Sequence, residues 1–528
     1  MQRRTGSPSW RRIKGVSKLA RITLRNRKDD PDPIAGTTAT IIRCGTVNIQ
    51  SLIRSTMVVC AGFALVYLVP LGVALRYGEN WLAFGLPLAV LAVIGITGVI
   101  VGFKPESPLG AREGVGIVLV TWIIACVSGA FPFLLSESTS GFADALFESA
   151  SGFTTTGSSI FSDVEALPRS ILFWRSFSHW LGGMGIIVLA VAILPALGIG
   201  GFQLLRAEAP GPEVERLAPR IAKTAQVFWA IYAGMTALEV ILLVLGGMSF
   251  FDAVNHAFAT LATGGFSTRN ASVAAFDSPY IEWVIAVFMI LSGVNFALYY
   301  RALMRQFRRI RDDSELKTYS GYLLASIIVV TISLIASRSY SGLGESIRYA
   351  TFQVATLTTS TGFATADYVL WPGLARGVLL LALLVGGCVG STSGGVKMLH
   401  VTVLGKIAAR QLRLLSHPRM VVTVHINKAP LSERTETAIV GFFVLYLAVV
   451  ALSTIVVASS GTDLETALSA SLAVIGNVGP GFGQVGPTLY FGLLPDYVKL
   501  VLSGVMVIGR LEVYTVAVLL VPGYLRGW

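Results

Sequence analysis

The sequence predicts an all-α membrane protein: about ten transmembrane helices, with four span–pore-loop–span repeats in pseudo-fourfold arrangement around one pore per subunit. Three observations lead there. The 528 residues are 54% hydrophobic and only 13% charged, where a soluble domain carries about 25% charged residues. Apolar runs long enough to cross a hydrocarbon core of about 30 Å recur along most of the chain. A short motif also returns four times between such runs, as ESASGFTTTGSSIF (148–161), NHAFATLATGGFST (255–268), FQVATLTTSTGFAT (352–365) and SASLAVIGNVGPGFG (469–483). A fixed motif at a near-constant interval marks internal repetition. One Thr-Gly pair alone is an ordinary turn or cap; four, each after a candidate short helix and between spans, are not.

In chain order, residues 1–45 read as a basic, unstructured cytoplasmic tail. Residues 1–54 hold 12 Lys/Arg against Asp29, Asp30 and Asp32, which suits retention beside a first span rather than nucleic-acid binding. No apolar core follows the first basic cluster, so a cleaved leader is not expected. Residues 46–110 supply two extra spans, near 51–76 and 81–103, joined at Gly78-Glu79-Asn80 and closed by Lys104-Pro105-Glu106. Repeat 1 (111–215) takes spans near 114–135, ending at Pro132, and 171–200. Repeat 2 (216–315) takes 224–247 and 280–303, and repeat 3 (316–430) takes 319–337 and 371–400. Repeat 4 (431–528) takes 436–459 and 496–524.

Basic residues gather in the inter-repeat loops: Arg206, Arg216, Arg220 and Lys223; Arg301 to Lys317; Lys406 to Arg434. The positive-inside rule puts those loops and the N-terminus in the cytoplasm, with the four motifs entering from outside. The four cysteines, Cys44, Cys60, Cys126 and Cys388, have no metal-ligand spacing and read as reduced and buried.

Irregular backbone at membrane depth survives only where it is buried in protein or lines a wet cavity. The candidate ion-binding positions are therefore Thr155, Thr156, Gly157, Thr263, Gly264, Thr361, Gly362, Asn477, Val478 and Gly479, with the glycines aligned at 157, 264, 362 and 479. Carbonyls from four such segments can replace the hydration shell of an alkali cation, and K⁺ is the expected metal ion there. Calcium would call for adjacent carboxylates, and none adjoins these glycines. Asp144, Glu148, Asp252, Asp463 and Glu465 precede the motifs, and helix capping is favoured for them over concentrating cations at an outer mouth.

Two features interrupt what a uniform span should be. GGCVGSTSGG (386–395) lacks the Gly-Lys-Ser/Thr ending of a phosphate loop. It reads as a mobile constriction in the permeation path or, less favoured, as a tightly packed kink. Its gate candidates are Gly386, Gly387, Gly390, Ser391, Thr392, Ser393, Gly394 and Gly395, with Lys397 just beyond. Arg510 is the second: a charge at that depth is functional by default, either as a barrier or latch in the pore or in a packing ion pair. Glu512, two residues on, points elsewhere on an ideal helix. Lys397 has the same options or snorkels to the cytoplasmic surface. His179 and His256 read as hydrogen-bonded structure rather than proton carriers.

Several stretches together resemble the bacterial Trk-type potassium uptake subunits of the Trk/Ktr/HKT superfamily: TTTG (154–157), WLGGMGIIVLAVAILPALGIGG (180–201), TGGFST (263–268), GGCVGSTSGGVK (386–397), NVGPGFG (477–483) and GRLEVYT (509–515). The resemblance covers about residues 47–527. It implies a homodimer in the cytoplasmic (inner) membrane with one pore per subunit and the four glycines in a potassium filter. It implies that the 386–395 loop, with Arg510 beneath the filter, forms the gate. It further implies a cytosolic ring of nucleotide-binding regulatory subunits on the basic inner face. Nucleotide, NAD(H) or ATP/ADP, would act only through that partner, and no covalently bound cofactor is expected. Sodium-preferring plant relatives carry Ser at the first filter position, where Gly157 favours potassium. The third short helix departs from the family pattern, with Ile347-Arg348 in place of a carboxylate. Other readings are a cation-coupled secondary transporter and a Na⁺-permeable member of the same superfamily; the fourfold repetition argues against the former. No constellation at membrane depth supports an enzyme.

Overall fold

The computed structural model describes residues 49–100, 111–192, 217–427 and 429–518. The expected tail (1–45), Lys104-Pro105-Glu106, the end of the 171–200 span with Arg206 and Arg216, and residues 519–524 of the last span lie outside them. So does Cys44, while Cys60, Cys126 and Cys388 are buried free thiols.

Among the described residues five helices are long and apolar enough to cross a membrane: Thr56–Tyr77, Gly114–Leu135, Thr224–Leu245, Ser314–Ala336 and Glu433–Ala458. A sixth is formed if the bent pair Pro279–Ser292 and Phe296–Leu303 is taken as one span. Twenty-two residues rise about 33 Å, which matches the hydrocarbon thickness. The sequence is apolar in further stretches, but there the helices are shorter, bent or begin with polar residues.

The elements follow the order α1 Ile49–Val66, α2 Leu68–Tyr77, α3 Leu82–Ile100, α4 Ala111–Leu135, α5 Phe142–Phe153, α6 Arg169–Ala192, α7 Leu217–Leu245, α8 Phe250–Leu261, α9 Pro279–Ser292 and α10 Phe296–Leu303. They continue with α11 Phe307–Arg311, α12 Ser314–Ala336, α13 Leu343–Thr358, α14 Gly373–Leu384, α15 Met398–Ser416, β1 His425–Ile426, β2 Ala429–Pro430, α16 Glu433–Ala458, α17 Leu464–Ile475, α18 Asp496–Arg510 and α19 Val513–Ala517. The two-residue strands pair as a small antiparallel hairpin, a minor addition to the all-helical expectation.

Helices α1 to α3 are fastened to the first motif by aromatic packing. The Trp174 ring of α6 lies 4.9 Å from Tyr67, 5.9 Å from Phe84 and 5.7 Å from Phe153 at the end of α5. Such pairs add about 0.5–1.5 kcal/mol each beyond the area they bury. Glu79, in the turn between α2 and α3, accepts from the Arg169 and Ser170 amides, both at 2.8 Å. It thereby caps the start of α6 from another element.

Three expected boundaries are corrected. Pro132 does not end the first span of repeat 1, because α4 continues through it to Leu135. The expected 280–303 span breaks by 93° after Ser292. Gly293 there has no room for a side-chain carbon against the Tyr319 hydroxyl. The third correction is in the last span, where α18 stops at Arg510 and Glu512 takes φ 63° before α19 begins.

Candidate functional site

Four short helices, α5, α8, α13 and α17, end in the same way. The second residue past each one is left-handed: Thr155 at φ 54°, Thr263 at 55°, Ser360 at 56° and Asn477 at 51°. The next amide then reaches back five residues, Thr156 to Ser151, Gly264 to Ala259, Thr361 to Thr356 and Val478 to Ala473, each at 2.8 Å. This is the hydrogen-bond pattern of a helix closed by a left-handed residue, usually Gly or Asn. Threonine is a rare choice there, since a β-branched residue at positive φ is strained. A glycine of positive φ follows in every case: Gly157 at 82°, Gly265 at 78°, Gly362 at 84° and Gly479 at 102°.

The equivalent of Gly157 in the second segment is therefore Gly265, one residue beyond the expected Gly264. Gly264 takes the place of Thr156, Thr361 and Val478. Ser360, the counterpart of Thr155, was also missed. Thr-Gly-Gly offers two glycines, and only the spacing of two from the left-handed residue distinguishes them.

The four segments close a ring. A side-chain carbon on Gly157 would lie closer than 3.0 Å to the Gly264 carbonyl oxygen, and one on Gly265 as close to that of Thr361. Gly362 stands in the same relation to Val478, and Gly479 to Thr156. Each glycine thus backs onto the carbonyl that precedes the glycine of the next segment, and the fourth returns to the first. Only glycine permits that approach. Ser158 Oγ reinforces the closure by donating to Gly479 O at 2.8 Å, and Asn477 Nδ2 donates to Thr156 Oγ1 at 2.9 Å. Four helix C-termini adjoin this ring, and each carries partial negative charge equivalent to about −0.5.

Ionic and imidazole groups hold the four segments and their short helices in place. Glu148 accepts from Arg175 Nε at 2.7 Å and from the Ile160 amide at 2.9 Å. Asp252 pairs with Arg269, and Glu465 with Arg376. Asp463 caps α17, accepting from the Thr466 amide at 3.0 Å, and Asp144 pairs with Lys499. In the third segment the sign is reversed, and Arg348 stands 3.2 Å from Glu282 of α9. His179 Nδ1 meets Gly152 O at 2.8 Å, and its Nε2 accepts from the Phe266 amide at 3.3 Å, so it ties the first segment to the second. His256 bonds Asp252 O and Ser267 Oγ.

Next to this ring the 386–395 loop follows α14, which ends at Leu384. Gly386 and Val396 close its neck with an amide–carbonyl bond of 2.8 Å. The loop fills the break between α9 and α10: the Cys388 amide donates to Gly293 O at 2.8 Å, and Phe296 donates to Gly390 O at 3.0 Å. Backbone freed by a broken helix is thereby satisfied, as burial in an apolar layer requires. Thr392 Oγ1 donates to Leu261 O at 2.9 Å, and the Gly394 amide donates to Ser360 Oγ at 2.6 Å, so the loop touches the ends of α8 and α13. Gly394 also has no room for a side-chain carbon against Gly476 O, beside α17.

Arg510 is 2% exposed. It donates through Nη1 to Thr392 O at 2.8 Å and through Nη2 to Gly182 O at 3.1 Å, joining the loop to α6. Its described partners are carbonyls, not a carboxylate. Lys397, at the start of α15, donates back to Ser393 O in the loop. Lys397, Arg510 and Glu512 line one cavity together with Gly395 and His400.

The family model described as TrkH, cation transport protein, matches residues 90–523. The chain is 40% identical over 426 residues to the Trk system potassium uptake protein TrkH of Escherichia coli, covering 80% of this chain and 88% of that one. It is 36% identical to TrkH of Halomonas elongata, across 91% of this chain and all of that protein. The crystal structure of the potassium transporter TrkH from Vibrio parahaemolyticus superposes with a TM-score of 0.84 at 36% identity, covering 91% of this chain and 100% of that one. The chain is an all-helical, multi-pass membrane protein and belongs to the TrkH family of cation transport proteins.

Proposed function

We propose that this protein takes up potassium across the cytoplasmic membrane through a filter formed by the four segments. The observation that carries the reading is the closed ring, in which each positive-φ glycine backs onto the carbonyl preceding the next. Neutral backbone oxygens beside four helix C-termini suit a monovalent cation that must bind and leave again. The relatives above are named as potassium uptake proteins, which supports K⁺ as the ion.

The filter residues in this reading are Thr155, Thr156, Gly157, Thr263, Gly264, Thr361, Gly362, Asn477, Val478 and Gly479, extended by Ser360 and Gly265. The 386–395 loop with Lys397 and Arg510 is the gate, its carbonyls holding a cation where a passing one would be repelled. The repeats divide at 111–215, 216–315, 316–430 and 431–528, giving ten spans with the N-terminus cytoplasmic. The subunit works as a homodimer under a cytosolic nucleotide-binding regulator.

Rubidium uptake into potassium-loaded liposomes holding the purified protein tests the proposal. Concentrative tracer uptake that excess external K⁺ suppresses is expected. Uptake that instead requires an imposed proton or sodium gradient would identify a coupled carrier and contradict a channel-like filter.

A further inference from the structure

The buried start of α12 lies between the β1–β2 hairpin and the 386–395 loop, and it touches both. Glu315, 8% exposed, presents Oε1 to two amides at once: Val389 at 2.7 Å and Leu399 at 3.0 Å. Val389 lies inside the Gly/Ser loop, and Leu399 lies in the first turn of α15, the helix that leaves it. One carboxyl oxygen therefore pins the loop and caps the helix that follows it.

The residue before it faces the other way. Ser314 donates its amide to Asn427 Oδ1 at 2.7 Å, and its hydroxyl accepts from the Asn427 amide at 3.2 Å. Asn427 is the left-handed tip of the β1–β2 hairpin, at φ 48°. The hairpin is packed as well as bonded. Val424, Ile426 and Leu431 share a buried cluster with Leu399, Val403 and Ile439, and Val389 packs against it. Thus the two residues whose amides Glu315 holds also belong to, or pack against, the apolar cluster that the hairpin enters. Two independent connections, polar and apolar, converge on Val389 and Leu399.

We propose that Glu315 is a positioning residue that latches the 386–395 loop closed, and that the 425–430 hairpin works this latch from the cytoplasmic face through Asn427 and Ser314. The inference rests on the loop being the gate. Displacing the hairpin shifts the α12 start and withdraws Oε1 from Val389 and Leu399 together. Since one carboxyl oxygen serves both amides, the loop and the head of α15 are released as a unit.

The test uses the full-length protein in nanodiscs and liposomes, with Glu315→Ala, Glu315→Gln, Asn427→Ala and the Glu315→Ala/Asn427→Ala double variant. Amide hydrogen exchange over 386–400 and rubidium flux are read side by side, together with the K⁺/Na⁺ ratio. Glu315→Ala is expected to raise both exchange and flux at least about tenfold, through the loss of both buried hydrogen bonds to one carboxyl oxygen. The ratio stays unchanged, and Gln, which keeps an acceptor, falls between Ala and wild type. Asn427→Ala is expected to raise flux less, and to add nothing in the double variant, because the two act in series. Wild-type exchange in Glu315→Ala overturns the latch. Full additivity of the two substitutions overturns the link to the hairpin. Faster exchange without any change in flux overturns the gate reading itself, and with it any role for the latch in conduction.

Discussion

Arg175 and Glu148 meet at 2.7 Å with both side chains almost wholly buried, directly behind the first glycine segment. Arg175 also donates to Ser267 O at 3.1 Å, and its guanidinium lies 4.1 Å from the Phe266 ring, so the pair spans two segments. Removing one partner leaves the other charge buried and unpaired. Glu148→Gln or Arg175→Met should each destabilise the protein by about 3–5 kcal/mol, whereas the double substitution costs less than the sum. Thermal midpoints in detergent check this, and additive losses would argue that the residues act separately.

Gly265, not Gly264, has the positive φ of the repeated pattern, and it backs onto Thr361 O. Gly265→Ala should therefore lower K⁺/Na⁺ discrimination at least tenfold, given a left-handed cost of about 1–2 kcal/mol added to the steric overlap. Reversal potentials or paired ion fluxes measure it. Unchanged discrimination would remove Gly265 from the ring's function.

Arg510 holds Thr392 O and Gly182 O without a carboxylate among its described partners. Arg510→Gln should raise basal flux severalfold while leaving the K⁺/Na⁺ ratio as it was, because it lies at the loop and not in the glycine ring. A changed ratio would relocate its action to ion selection.

Outside the membrane-spanning helices, Asp163 accepts from Asn270 Nδ2 at 2.8 Å, joining the loops that follow the first two segments. That hydrogen bond holds the carboxyl below its ordinary value. A depressed carboxylate contributes stability above its unfolded pKa of about 3.9 and loses it as pH falls through the folded one. The thermal midpoint gap between wild type and Asn270→Ala should thus narrow as pH falls from 7 to 3. A gap that widens in acid would have the wrong sign.

The repeat, the short helices and the odd Gly/Ser loop could be read from the sequence because each rests on local chemistry. Glycine and hydroxyl residues interrupt apolar runs, and acidic residues sit near helix starts. What escaped depended on partners far away in the chain. Gly293 looks like an ordinary span glycine, and only the Tyr319 hydroxyl and the incoming Cys388 amide make it a break. Glu315 reads as a first-turn carboxylate of its own helix, yet its partners are 74 and 84 residues on. The choice between Gly264 and Gly265 was set by the left-handed Thr263, which no spacing of glycines reveals. Pro132 was overvalued as a stop, since α4 carries it in its last turn.

If the four glycine segments form one potassium filter, ion selection depends on each of them. The most direct test is the K⁺/Na⁺ flux ratio of purified protein in liposomes, wild type beside Gly157→Ser. Gly157 backs onto Gly264 O, so a serine there strains the backbone and crowds the second segment. A potassium-selective wild type and a ratio that collapses toward unity in the variant are expected. A variant as selective as the wild type would place ion selection elsewhere and contradict the fourfold ring as the filter.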